Sequence, residues 1–431
     1  MAKAETHSNA PTISRVLPDG TMIELIYDAD KRETALVHCP PSGTPILESQ
    51  IDLTEQECLV PYAPGNNLLT SGCVLLPAAV GEYTDKASLL AEIKAFIHRY
   101  VDLSPLFEDI AAHYVLLTWV HDAFNELAYL RFRGDFGTGK TRALLAIGSL
   151  CYKAFFASGA STVSPIFHIL HEFGGTLVLD EADLRFSDAT ADLTKILNNG
   201  NMKGLPVLRT MTNRHRELNP TAFKVYGPKL IAMRESFADE ALESRFLTEE
   251  TGQRPMRGDI SIHLPDAMKA EALHLRNKLL AWRFAERSNV AIDPSRAIAG
   301  LPPRGNQTAL ALLSLIDDPA LRESIGTHLA NGEARAAAKR QTLPHIALVG
   351  VLDQMFRSAS TPYLALAEIT RCYNQETATR GACALTPKAV GCVLRNRLGI
   401  ETTKTRGVYV VDQSQRGKIG ELAARYGLAQ T

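Results

Sequence analysis

The sequence predicts an α/β protein built round a parallel sheet, and three observations carry that prediction. Residues 127 to 247 alternate apolar runs of strand length with longer stretches whose apolar residues recur at helical spacing, the pattern of parallel strands joined by helices. A glycine-rich stretch, "GDFGTGKT" (134 to 141), lies between one such strand, "YLRF", and one such helix, "RALLAIGSL". An acidic pair, Asp180 and Glu181, closes the apolar run Leu177-Val178-Leu179.

Composition bounds what surrounds that sheet. The chain has 431 residues, 45% hydrophobic and 22% charged, enough for two to four domains with sizeable cores. Its start, "MAKAETHSNAPT", has no apolar stretch behind a basic cluster, and no 18 residues run apolar without a polar break, so the expectation is a cytoplasmic protein with no membrane partner. The seven cysteines (39, 58, 73, 151, 372, 383 and 392) are odd in number and form no CxxC pair, which argues against a disulfide framework or a zinc ribbon. Net charge is −1 but uneven: residues 331 to 431 hold fourteen Lys and Arg against seven Asp and Glu, a net +7 that leaves −8 on the rest.

Taken in order, residues 1 to 80 break into short runs such as "TMIELIYDA" and "ETALVHC" separated by Pro, Gly and Asn, a small strand-rich module. Residues 81 to 126 read as two helices, "ASLLAEIKAFIHRYVDL" and "SPLFEDIAAHYVLLTWVHDAFNEL", with Ser104 as N-cap before Pro105. Residues 127 to 250 are the sheet-bearing core, 251 to 340 a helical segment, and 341 to 431 helices near 344 to 356, 362 to 376 and 386 to 398 followed by a hairpin, "IETTKTRGVYVVD". Helix, helix, hairpin reads as a winged helix, with Lys388, Arg395 and Arg397 on or near the second helix and Lys404 and Arg406 on the wing as candidate duplex-DNA contacts.

The chemistry is concentrated in the core. "GDFGTGKT" matches GxxxxGK[ST] between a strand and a helix, the context that gives the pattern meaning. Gly134, Asp135, Phe136, Gly137, Thr138 and Gly139 would turn backbone N–H groups onto phosphates, Lys140 would reach the β and γ phosphates, and Thr141 would ligate Mg²⁺, with Arg142 just behind the loop. These residues call for ATP and Mg²⁺. A carboxylate ending a buried strand needs a cation, which suits Asp180 to the Mg²⁺ shell and leaves Glu181 to polarise the attacking water. The run "KLIAM" (229 to 233) ends at Arg234, a candidate for the γ-phosphate side, with an ion pair to Glu235 as the alternative.

"ESRF" (243 to 246) resembles the Ser-Arg-Phe element of MCM-type AAA+ helicases, whose arginine reaches the neighbouring subunit's nucleotide; the resemblance assigns that role to Arg245. With "FIHRYVDL", "LRFRGDFGTGKTRALL", "GTLVLDEAD", "KILNNGNMKGLPVLR" and "YGPKLIAMRESFADEALESRFL", the stretch 74 to 300 resembles the AAA+ ATPases of phage, plasmid and genomic-island replication modules, which are similar to superfamily 3 and MCM-like hexameric helicases. The resemblance implies a P-loop AAA+ core with a helical lid, a hexamer, DNA in a central pore, and a primase or other replication proteins as further partners. It places a second sensor arginine near the start of the lid, where Arg304 stands with Arg296 as rival, and it departs from the family at Met233-Arg234, where many such helicases carry Asn. Two strand-like runs, "GLPVLRTM" and "TAFKVYG", flank "TNRHRELNP" at the interval where the family projects a hairpin into the pore; Arg214, His215 and Arg216 would tip it, with Lys203 and Arg209 lower down. A regulatory AAA+ switch, such as a helicase loader or transposition ATPase, and an origin-melting initiator remain open beside the helicase reading.

Overall fold

A computed structural model describes residues 8–54, 56–180, 182, 188–212, 218–237, 239–341, 343–358, 361–378 and 384–428. The chain forms two compact units, Met1–Leu329 and Ala330–Thr431.

The first unit holds a five-stranded parallel sheet in the order Phe246–Glu250, Tyr129–Arg133, Lys229–Met233, Leu177–Asp180, Phe155–Ser158. The central strands are covered on both faces and mostly apolar, with Arg131, Arg133 and Lys229 among the charged exceptions, and Lys229–Met233 has every residue buried. Sequence reading missed the strand Phe155–Ser158, which has only four residues and no alternation to mark it. Its outer edge is covered by residues 73 to 75, where Val74 bridges Phe155 and the Leu75 N–H donates to the Ala154 carbonyl at 2.8 Å. Because Lys229–Met233 lies between the glycine-loop strand and the acidic strand, the C-terminal ends of all three converge on one crevice, where ligands of open α/β sheets bind.

Helices Lys86–Tyr100 and Pro105–Val120 pack beside this sheet. Ser104 does occupy the N-cap position of the second, but its hydroxyl turns to Glu249 Oε2 at 3.0 Å instead of to the helix, a tertiary partner winning over the local one. The N-terminal module forms two small sheets, one containing the hairpin of Met22–Asp28 and Glu33–Cys39. It is fastened by a buried ionic cluster: Glu24, 1% exposed, accepts from Arg283 Nε at 2.8 Å and from the Tyr152 hydroxyl at 2.7 Å, while Arg283 also grips Asp122 through two bonds of 2.8 and 3.0 Å. Strands Val207–Thr212 and Leu218–Phe223 pair antiparallel as a separate hairpin. The second strand begins three residues nearer the tip than its composition suggested, since on a two-stranded ribbon Pro220 can face outward without breaking a ladder.

The second unit packs helices Pro344–Ser358, Leu366–Ala378, Pro387–Asn396 and Arg416–Arg425 with a three-stranded antiparallel sheet of Tyr363–Ala365, Val408–Asp412 and Thr403–Thr405. The helix expected from 362 starts at Leu366 instead, because residues 363 to 365 are drawn into pairing with Val408–Asp412, a long-range contact that local periodicity does not encode. Helix Arg416–Arg425 was not anticipated either.

Candidate nucleotide site

The glycine loop leaves Arg133 and enters the helix Lys140–Gly148. Gly139, the residue before that helix, has φ +85, and a Cβ on Gly134 would lie 2.4 Å from Thr251 Oγ1, so the first position requires glycine for its backbone conformation and the second for the close approach of Thr251. Thr138 ties the loop down by accepting or donating a 2.8 Å bond with Thr251 Oγ1 and donating to the Asp135 carbonyl at 2.9 Å. Lys140 folds back across the loop, its Nζ donating to the Gly134 and Asp135 carbonyls at 2.7 and 2.6 Å. One residue on, Thr141 Oγ1 donates to Asp180 Oδ2 at 2.7 Å.

Two residues separated by 39 positions in sequence therefore meet at the crevice through the oxygens that a divalent cation would take. The donor set fits Mg²⁺ held by hydroxyl and carboxylate with nucleotide phosphates supplying the rest, and the loop N–H groups, the helix N-terminus and the Lys140 ammonium fit those phosphates. Glu181 lies outside the described residues. Ala182 beyond it is anchored by its N–H to the Ala232 carbonyl at 3.1 Å.

Arg234 emerges exposed at the end of its strand with its guanidinium 4.8 Å from the centre of the Phe136 ring, which puts it beside the loop. Phe136 itself is 82% exposed at the loop tip. Arg142 points away from the phosphate side: its Nε donates to the Tyr100 carbonyl at 2.7 Å and its Nη1 to the Ile262 carbonyl at 3.1 Å, pinning the segment after the last core strand.

Arg245 stands at the other end of the sheet. Phe246 pairs with Tyr129 and Glu250 with Arg133, so the residue before Phe246 is separated from its own glycine loop by the length of a strand, about 15 Å. Its Nη1 donates to the Leu197 carbonyl and to Asn198 Oδ1 at 3.1 and 2.7 Å, while its Nε has no hydrogen-bond partner among the described residues. Burial depresses its pKa, and the nearby positive charge of Arg304 acts in the same direction. Arg304, exposed on the helix Pro303–Ser314, thus belongs to the Arg245 end of the unit. Arg296 is occupied in capping that helix, its Nη1 donating to the carbonyls of Leu313, Ser314 and Ile316 at 3.1, 2.8 and 2.7 Å.

Of the candidate DNA contacts, Arg214, His215 and Arg216 lie outside the described residues. Arg209 is half-buried at the hairpin base, 2.5 Å from Asp192 Oδ2 and 4.0 Å over the Phe167 ring. Lys203 turns inward to the Asp122 carbonyl at 2.6 Å, and burial lowers its pKa. In the second unit Lys388, Arg395, Arg397, Lys404 and Arg406 are all exposed; Arg395 donates to Thr402 Oγ1 at 2.7 Å, and Arg406 adopts φ +50 beside Gly407 at the turn between strands Thr403–Thr405 and Val408–Asp412.

Sequence reading did not single out Arg131, Arg133 or Glu243. Arg131 is 3% exposed and bonds both oxygens of Glu243, and Arg133 pairs with Glu250 and donates to Ser236 Oγ. The signal was present as two arginines inside an otherwise buried strand, "YLRFR", which can be sustained only by acidic partners elsewhere.

No family model and no curated protein matches the chain. Among solved structures it aligns with the SCCmec type IV Cch active helicase at 13% identity over 95% of this chain and 80% of that one, TM-score 0.38. It also aligns with the NrS-1 C-terminal region at 12% identity over 90% and 96%, TM-score 0.40, and with the Aeropyrum pernix ORC1 protein in complex with DNA at 16% identity over 78% and 96%, TM-score 0.21. At these scores the alignments bear on no residue and no activity of this chain.

Proposed function

We propose that the chain is an ATP-hydrolysing, ring-forming DNA helicase with an AAA+ core, the replicative helicase of a mobile element working as a hexamer. The observation that carries the ATPase part is the 2.7 Å bond from Thr141 Oγ1 to Asp180 Oδ2, with Lys140 laid across the adjoining loop. Two motifs far apart in sequence meet where a metal-bound triphosphate would be held. Mg·ATP would supply the phosphoryl group; the loop and Lys140 would hold its phosphates, Thr141 and Asp180 would hold the metal, and Glu181 would orient and deprotonate the water. Arg245, remote from its own loop, would serve a neighbouring subunit's site, which requires an oligomer.

The DNA part is supported by the antiparallel pair Val207–Thr212 and Leu218–Phe223, between which the sequence carries Arg214, His215 and Arg216, and by exposed cations on a helix–helix–hairpin unit that we read as a winged helix. Residues 251 to 340 would be the lid. Strand separation of a forked duplex is the test: the wild-type chain with ATP should unwind it and Lys140→Ala should not. ATP hydrolysis stimulated by a protein partner, with no unwinding at saturating ATP, would favour a regulatory switch instead.

A further inference from the structure

One carboxylate, Glu243, joins three pieces of the core. Its Oε1 accepts from Arg131 Nη1 and from the Phe237 N–H, both at 2.6 Å, and its Oε2 accepts from Arg131 Nη2 at 2.8 Å with Arg133 Nη1 at 3.8 Å. Arg131 and Arg133 belong to the strand that runs into the glycine loop, and Arg133 also donates to Ser236 Oγ. Phe237 ends the turn that begins at Arg234 beside Phe136. Glu243 itself closes the one-turn helix Glu240–Glu243, directly before Ser244 and Arg245. The aromatic packing follows the same path: Phe246 lies between the Arg131 guanidinium, 4.6 Å from its centroid, and the Phe237 ring, stacked at 5.6 Å. At the other end of the short helix Asp239 caps the Ala241 N–H at 2.9 Å and accepts from Asn198 Nδ2 at 3.0 Å, and Asn198 Oδ1 takes Arg245 Nη1 at 2.7 Å. A continuous set of bonds thus links the loop end of the sheet to Arg245 at its far end.

We propose that Glu243 is a positioning residue that couples the occupancy of a subunit's own glycine loop to the seating of its Arg245, and so regulates hydrolysis in the neighbouring subunit. A helix of four residues has no freedom to absorb a shift of the 234 to 237 turn, and the bidentate pair with a buried guanidinium resists stretching, so a displacement at the loop reaches Arg245 as movement. The proposal rests on Arg245 acting in trans.

The test uses full-length chains mixed in pairs, with ATPase as readout. Glu181→Gln keeps its loop occupied and its arginine intact but cannot hydrolyse, and Arg245→Ala is the reverse, so their mixture should recover activity; if it does not, the trans role of Arg245 fails whatever Glu243 does. Glu243→Gln alone should lose activity on the order of tenfold, and its ATP dependence should lose cooperativity. Mixed with Glu181→Gln it should recover, because its pocket is intact and borrows an arginine seated by that subunit's occupied loop. Mixed with Arg245→Ala it should stay low, because it can receive an arginine but not deliver one. Recovery in that last mixture equal to the control would overturn the proposal, and so would failure with Glu181→Gln, which would make the role one of building its own pocket. Should Glu243→Gln not fold, Asn198→Ala leaves the ion pair whole and must show the same receive-but-not-deliver pattern; equal recovery in both mixtures overturns the proposal.

Discussion

On the proposed reading Lys140 would hold nucleotide and Glu181 would activate water, so substitutions at the two should separate binding from chemistry. Lys140→Ala removes the cation that crosses the loop and should abolish nucleotide binding, whereas Glu181→Gln should bind ATP normally and lose hydrolysis, because a water-orienting base is not a ligand. Equilibrium binding of a fluorescent ATP analogue beside turnover decides this; wild-type turnover by Glu181→Gln would remove it from the mechanism. A second residue-scale expectation concerns Lys229, whose buried ammonium donates to the carbonyls of Gly200, Val225 and Gly227 at 3.2, 3.0 and 2.9 Å. Burial lowers its pKa to about 7 from 10.5, so across that interval the unfolded chain binds more protons than the folded one and stability rises with pH. Below about pH 7 both states carry the proton and the contribution is flat. Lys229→Met should remove a slope of at most about 1.4 kcal/mol per pH unit, read from urea midpoints at several pH values between neutral and mildly alkaline. An unchanged slope would mean that the lysine keeps its ordinary pKa.

The hairpin Val207–Thr212 and Leu218–Phe223 is the element on which DNA translocation depends in this reading. Its base is fixed to the core by Val207 and Phe223, both buried, and by the Arg209 to Asp192 pair, so the tip can be altered without disturbing the nucleotide crevice. Replacing Arg214, His215 and Arg216 together by Ala should leave DNA-free ATPase nearly unchanged and stop strand separation. The log–log salt dependence of single-strand binding should flatten by roughly 0.7 for each phosphate the variant no longer neutralises. Normal unwinding by this variant would reduce the tip to a solvated turn. If the C-terminal hairpin is a wing, removing the exposed Lys404 and Arg406 from it should weaken duplex binding yet spare movement along a preloaded strand.

For the first unit as a whole, the buried cluster of Glu24, Asp122, Lys153 and Arg283 joins the N-terminal hairpin to the core. Arg283 is 2% exposed and serves two carboxylates, so Arg283→Met should cost about 3–5 kcal/mol by leaving Glu24 and Asp122 without their common cation. Chemical denaturation measures it, and a loss below about 1 kcal/mol would show the cluster to be dispensable. Lys153, with φ +45 and its ammonium 3.4 Å from Glu24 Oε2, has its pKa lowered by burial to about 8, which places it as the weaker cation of the pair.

What the sequence determined by itself was local: the glycine loop and helix at 134 to 148, the acidic strand end, the hairpin interval and the basic C-terminal quarter all follow from short-range pattern and backbone chemistry. A glycine-rich turn carries part of its conformational requirement in its own residues, as Gly139 does at φ +85, whereas Gly134 is required by the approach of Thr251. Tertiary structure alone decided which side chains serve as ligands and which as struts. Nothing in the spacing of Arg142, Arg296 or Lys203 distinguishes a phosphate contact from a carbonyl brace, because an arginine or lysine is committed by whatever acceptor folding brings within about 3 Å. The same holds for Glu243 and Arg131, and for the strands Phe155–Ser158 and Tyr363–Ala365: each is defined by a partner far away in the chain, and long-range pairing leaves no periodicity in the segment it recruits.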